Sequence, residues 1–181
     1  MRRILLVMLA VIVLCLGGCK EQKKEVINPD TKIENPTDSS ADKQSMQEYV
    51  LYYTDSQAEK LYPVTNEAIP ENADDPLFVM RELMKTGGSN DGKLINVIPP
   101  QTILNSCELS DGICRVDLSE EFLSIEGSAT QKMAVYSIVN TLCRVKGVYS
   151  VQFVIDGELV EIFGNYLFDE PFEADMSLVG E

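Results

Sequence analysis

The residues best placed to do chemistry sit together in SCELSDGICRVDLSEEF, Ser106 to Phe122. Cys107 and Cys114 flank a Ser110-Asp111-Gly112 turn, and Asp117, Ser119, Glu120 and Glu121 follow closely. Thiols can serve as nucleophiles or close a disulfide, and paired carboxylates can act as general acid and base. The chain contains no histidine, which removes Ser-His-Asp and Cys-His catalysis and the commonest zinc ligand together. A Ser-Lys dyad or a carboxylate pair remains formally open. Asp74-Asp75 reads better as a helix cap, and Glu120-Glu121 as the solvated end of a strand, where adjacent side chains point to opposite faces. No Gly-rich phosphate loop precedes a helix, and the acid spacing does not fit an EF-hand loop. Hence no catalytic residue, no cofactor and no metal site is expected.

The cysteine pair keeps two readings. A Cys107–Cys114 disulfide outside the cytoplasm would stabilise a short loop by roughly 2 to 3 kcal/mol. The alternative is two small, reduced core residues, the role also expected of Cys143 beside Val139 on a helix face.

The elements that would carry these residues follow from pattern. Glu48 to Thr54, rich in aromatic and branched residues, reads as a strand, with Leu61-Tyr62-Pro63-Val64 as a short edge partner. A polar loop leads to Asp75, a cap, and Pro76, suited to a first helical position. Leu77, Met80, Leu83 and Met84 then share a face until Gly87-Gly88. After Pro99-Pro100, Thr102 to Leu109 and Ile113 to Leu118 form a hairpin about Asp111-Gly112. Parity places Ile103, Cys107 and Leu109 on one face of the first arm and Cys114, Val116 and Leu118 on one face of the second, so both cysteines should face the core. Ser128 and Gln131 have capping-box spacing before a helix whose stripe is Val135, Ile138, Val139 and Leu142. Gly147 ends it, Val148 to Ile155 is a strand, and Asp156-Gly157 turns into a second hairpin with Leu159 to Phe163. Helices separated by a hairpin imply α+β: a mixed sheet with two helices packed on one face.

The N-terminal part is of another kind. Met1-Arg2-Arg3 precedes an apolar run, Ile4 to Leu16, which as a helix spans only ~20 Å against ~30 Å of hydrocarbon. That suits a signal peptide over residues 1–18. Leu16-Gly17-Gly18-Cys19 resembles a bacterial lipobox, which implies cleavage before Cys19, a diacylglycerol anchor on its thiol and residence on the outer face of a cell membrane. Residues 19–47 are polar, with Pro29 and Pro36, and read as a flexible tether that spans roughly 30 Å as a coil. Residues 48–170 form the domain and 171–181 an acidic tail.

Net charge is −14, and the tether is close to neutral, so the acidity belongs to the folded part. Such a surface repels nucleic acid and anionic headgroups, and a basic protein is its electrostatic match.

From about Tyr49 to Asp169 the chain resembles a GerMN domain, the sporulation and spore-germination module of spore-forming bacteria. The resemblance rests on Leu83 with Gly87-Gly88, on Ile98-Pro99-Pro100-Gln101-Thr102, and on Val116-Asp117-Leu118-Ser119-Glu120-Glu121-Phe122. It continues in Ile138-Val139-Asn140-Thr141-Leu142, Gly147-Val148 and Ile155-Asp156-Gly157. It implies a non-catalytic extracytoplasmic domain similar in fold to ring-building motifs, scaffolding an envelope complex with protein partners and leaving homo-oligomerisation open. A ligand-binding lipoprotein and a wall hydrolase using Asp117 or a neighbouring Glu are the competing readings.

Overall fold

The computed structural model describes residues 45–181, apart from 86 and 90. The leader, Cys19 and nearly all of the tether lie outside them. Among the described residues no helix is long and apolar enough to cross a membrane.

Strand β1 (Gln47–Thr54) pairs antiparallel with β2 (Leu61–Ala68) along its whole length, with Tyr52 opposite Pro63. The expected short partner is thus a full strand, and it is an edge strand, where a missing N–H does no harm. The loop expected next holds a one-turn helix, α1 (Pro70–Ala73). Helix α2 (Pro76–Lys85) starts as the sequence predicts: Asp75 Oδ1 accepts the Leu77 N–H at 3.0 Å. Such a cap is worth about 1 kcal/mol. Val79, Met80 and Leu83 are fully buried, whereas Leu77 and Met84 are only partly so.

The hairpin of β3 (Leu104–Ser110) and β4 (Ile113–Leu118) turns through Asp111 and Gly112, whose φ angles of 51° and 84° are those of a type I′ turn. Tyr149 lies across that turn, so close that a Cβ on Gly112 would stand 2.4 Å from its ring. Cys107, Cys114, Val116 and Leu118 face the core as parity requires, but Ile103 and Leu109 are 60% and 40% exposed. A register shift between Leu104 and Ser106 inserts Asn105 as a bulge. The inward parity of β3 therefore switches, and Ile103 turns outward.

A 3-10 turn (Glu120–Ser124) leads to α3 (Ser128–Leu142), which crosses over to β5 (Ser150–Ile155), parallel to β4. Val135, Ile138, Val139 and Leu142 are buried as expected, and Met133 is buried with them. The capping box does not form. Gly127, at φ 87°, occupies the cap position, Ser128 is already helical, and Gln131 instead donates its Nε2 to the Ile125 carbonyl at 2.8 Å.

The second hairpin is also displaced. Asp156-Gly157 turns the chain, but only the Ile155–Glu158 bridge follows it. Beyond it β6 (Ile162–Phe163) pairs with β7 (Tyr166–Leu167), and β5 takes as its outer neighbour β8 (Phe172–Glu173). The segment 171–181 is thus part of the domain rather than a tail. Beyond β8, Leu178 is buried, and the Gly180 N–H donates to the Leu61 carbonyl at 2.8 Å.

The result is a mixed four-stranded sheet, β3-β4-β5-β8, beside the β1–β2 ribbon. The inward side chains of the sheet share one core with α2 and α3, the α+β arrangement of two helices on one face. Phe122, Phe153, Phe163, Phe168 and Phe172 form its aromatic centre, with Phe153 and Phe168 stacked at 4.8 Å.

Candidate functional site

The candidate chemistry lies at the two ends of the β3–β4 hairpin. Near the turn, the Cys107 and Cys114 thiols are hydrogen-bonded, Sγ to Sγ 3.4 Å. The two residues are not directly opposed: Cys107 faces Val116, and Cys114 faces Leu109. The bond to Cys114, followed by burial, pushes the Cys107 thiol far above the ordinary thiol range. Cys143 lies on α3's C-terminal side, its Sγ donating to the Tyr149 carbonyl at 3.6 Å, and burial pushes its thiol up to about 11. Thiols so held are poor nucleophiles at neutral pH, because the reactive form is the thiolate.

At the other end the sequence DLS becomes a set of long-range ties. Asp117 Oδ1 accepts the Gly157 N–H at 3.2 Å and Asn105 Nδ2 at 3.3 Å. Asp156, just before Gly157, accepts Asn105 Nδ2 on one oxygen and the Glu120 N–H on the other, both at 3.1 Å. Ser119 Oγ accepts the Ile103 N–H at 2.9 Å, and its own N–H donates to the Ile103 carbonyl. Asp117 and Ser119 thus organise the hairpin's exit through long-range bonds, with partners 40 and 16 positions away. The bulge residue Asn105 bridges two carboxylates, so the feature that breaks β3's parity is also what binds β3 to the β5 turn.

Glu120 and Glu121 open the 3-10 turn rather than ending a strand. The Ser119 hydroxyl holds the Glu121 carboxyl below its ordinary range. Asp74 accepts Gln47 Nε2 at 2.7 Å, and Asp75 caps α2. Among the described residues no three His, Cys, Asp or Glu side chains converge as metal ligands. A recess between β1 and the end of α3, lined by Tyr49, Asp74, Thr141 and Arg144 among others, offers about 30 Å³, room for a single water.

The remaining motif residues are structural. Val116, Leu118, Phe122 and Leu142 are fully buried, and Val148 nearly so. The Pro99 carbonyl accepts the Thr102 N–H at 2.9 Å, while the buried Thr102 hydroxyl makes no hydrogen bond. Thr141 Oγ1 accepts the Tyr52 N–H at 2.9 Å, and Ser137 Oγ donates to the Tyr52 carbonyl. Asn140 pairs both ways with the Asp175 backbone, at 2.9 and 3.0 Å. Periodicity does not reveal these polar residues of α3, because an apolar stripe marks a buried face only through its apolar positions. Buried Ser, Asn and Thr within four residues of one another are the signal that a second structure packs there.

The family model for sporulation and spore germination, Germane, matches residues 50–161. The chain belongs to this family. Germane is named for sporulation and germination, not for an enzymatic activity. Solved structures extend the likeness. Tandem GerMN domains of the sporulation protein GerM from Bacillus subtilis match with a TM-score of 0.60 at 23% identity, over 81% of this chain and 51% of that one. The first GerMN domain of the same protein matches at 0.52 and 18% identity, over 72% of this chain and 98% of the other. A Clostridium perfringens protein described as a lipoprotein matches at 0.52 and 20% identity, covering 71% and 87%. No curated protein matches significantly. At these identities the structures establish the GerMN fold. Within that fold, the side chains of Asp117, Ser119 and Thr141 tie distant segments together, with Gly157 as a partner of Asp117.

Proposed function

We propose that this chain is a lipid-anchored extracytoplasmic protein whose GerMN domain is non-catalytic and helps assemble or position an envelope complex in sporulation or germination. The observation that carries the reading is the assignment of the motif's polar groups. Asp117, Ser119 and Asp156 are bound to backbone and amide groups of neighbouring elements, so the most reactive-looking stretch serves to join three parts of the sheet. The lipobox at Cys19 supports the anchor, as does the likeness to a protein described as a lipoprotein.

The test uses the full chain in its native spore-forming host. Wild type should fractionate with membranes and form protein crosslinks with a short amine-reactive reagent. Cys19→Ala should move to the soluble fraction and fail to restore sporulation or germination in a deletion strain. Full complementation by the unanchored protein, or wall-cleaving activity abolished by Asp117→Asn without loss of fold, would overturn the reading.

A further inference from the structure

The β6–β7 hairpin presents an apolar pair to solvent. Ile162 and Leu167 are directly opposed across the two strands and are 60% and 63% exposed. Their neighbours Phe163 and Phe168 point the other way, into the aromatic core, where Phe163 meets Phe122 at 5.4 Å and Phe168 at 5.2 Å. The turn is fixed as well: Gly164, at φ 59°, lies so close to Gln131 of α3 that a Cβ would stand 2.2 Å from Oε1. The outward pair is therefore held on a rigid base, and little freedom is left to lose on binding. Single exposed apolar residues are ordinary, but two opposed in register form one patch.

The charge along the chain on either side of this patch favours a basic partner. Residues 147–181 contain eight Asp and Glu and no Lys or Arg. Four of these acids, Glu158, Glu161, Asp169 and Glu170, flank the hairpin in sequence and are exposed. Neither ion pair among the described residues, Lys85–Glu82 or Lys93–Asp91, engages them. We infer that the outer face of β6–β7 is a docking surface for a protein partner that offers an apolar groove rimmed by Lys or Arg. The inference rests on the scaffold reading and adds the surface and the chemistry of the partner. An anionic membrane and a second copy of this acidic chain are the electrostatically unfavourable occupants.

The test places a photoactivatable residue at 162, at 167 or, for comparison, at exposed Tyr149, in the full lipidated chain in its native host. Adducts are digested and the crosslinked peptides sequenced by mass spectrometry. Positions 162 and 167 should join a peptide of another protein that carries Lys or Arg beside apolar residues. Glu161→Lys combined with Asp169→Lys should lower that yield at least tenfold while the circular dichroism spectrum stays unchanged. Adducts with lipid or with this chain's own peptides, or a yield indifferent to the two reversals, overturn the inference. Protein adducts confined to position 149 overturn the surface but leave the scaffold reading standing, and no protein adduct at any of the three counts against both.

Discussion

Thr141 closes the free edge of β1 at Tyr52, its Oγ1 accepting the Tyr52 N–H at 2.9 Å. One turn earlier Ser137 donates to the carbonyl of the same residue. A strand edge that would otherwise bury two unpaired backbone groups is satisfied by two hydroxyls from one helix face. Thr141→Val preserves shape and removes the acceptor, so the buried amide is left unpaired. The expected loss is about 1 to 3 kcal/mol, read as a lower urea midpoint. Thr141→Ser should lose clearly less, because the oxygen is retained. Equal losses would show that packing rather than the hydrogen bond matters at this site.

Asp117 holds the Gly157 amide and the Asn105 side chain. Asp117→Ala should destabilise the domain by about 1 kcal/mol, the scale of a hydrogen bond at a partly exposed site. Native-state hydrogen exchange should quicken at the Gly157 amide while the β5 amides keep their protection. Unchanged exchange at Gly157 would remove Asp117 from its role at this turn.

The cysteines respond to pH and to reagent. Burial disfavours the Cys143 thiolate, so the folded pKa of about 11 stands above the ordinary value of 9.0. A raised pKa contributes stability that is whole below the unfolded value and is lost as pH rises through the folded one. Stability should therefore fall between about pH 9 and pH 11, and Cys143→Ala should flatten part of that slope. Cys107 and Cys114 sit in diagonal register, and diagonal Cα atoms are typically about 7 to 8 Å apart, beyond comfortable bridging distance. Of the two sequence readings, we expect the reduced pair. Protein unfolded without reductant should take up as many alkyl groups as reduced protein, and two fewer would establish the bond.

Gly112 combines a positive φ with the overlying Tyr149 ring. Gly112→Ala should cost more than the roughly 1 kcal/mol expected for backbone strain alone. Gly92, at φ 71° with open space where a Cβ would go, is the natural comparison. Removing the ring with Tyr149→Ala should bring the Gly112→Ala cost down toward that of Gly92→Ala in thermal unfolding.

Legibility followed the kind of signal available. Asp75 with Pro76 set α2's start, and the Asp111-Gly112 turn set the hairpin, because both act through their own backbone neighbourhood. Where a distant partner decides, sequence reasoning missed. The Asn105 bulge that turned Ile103 outward answers to Asp117 and Asp156. Ser128 and Gln131 had capping-box spacing, but Gly127 took the cap and Gln131 turned to Ile125 and the Gly164 turn. The acidic composition of 171–181 hid Phe172 and Leu178, since solvated acids on one face and buried apolar residues on the other average to a tail. The candidate site was legible as residues but not as ties, because Asp117 and Gly157 are neighbours only in the folded molecule.

The placement of β8 bears on how the domain comes into being. The strand that completes the sheet and the Gly180 contact with β2 both come from the end of the described chain. A polypeptide delivered N-terminus first can form the β1–β2 ribbon and the β3–β4 hairpin early, but β5 keeps an open flank until residues 172–180 arrive. The described domain is therefore completed by residues 172–180, and an interruption of synthesis before them would leave the Phe153 and Phe168 rings open to unwanted association.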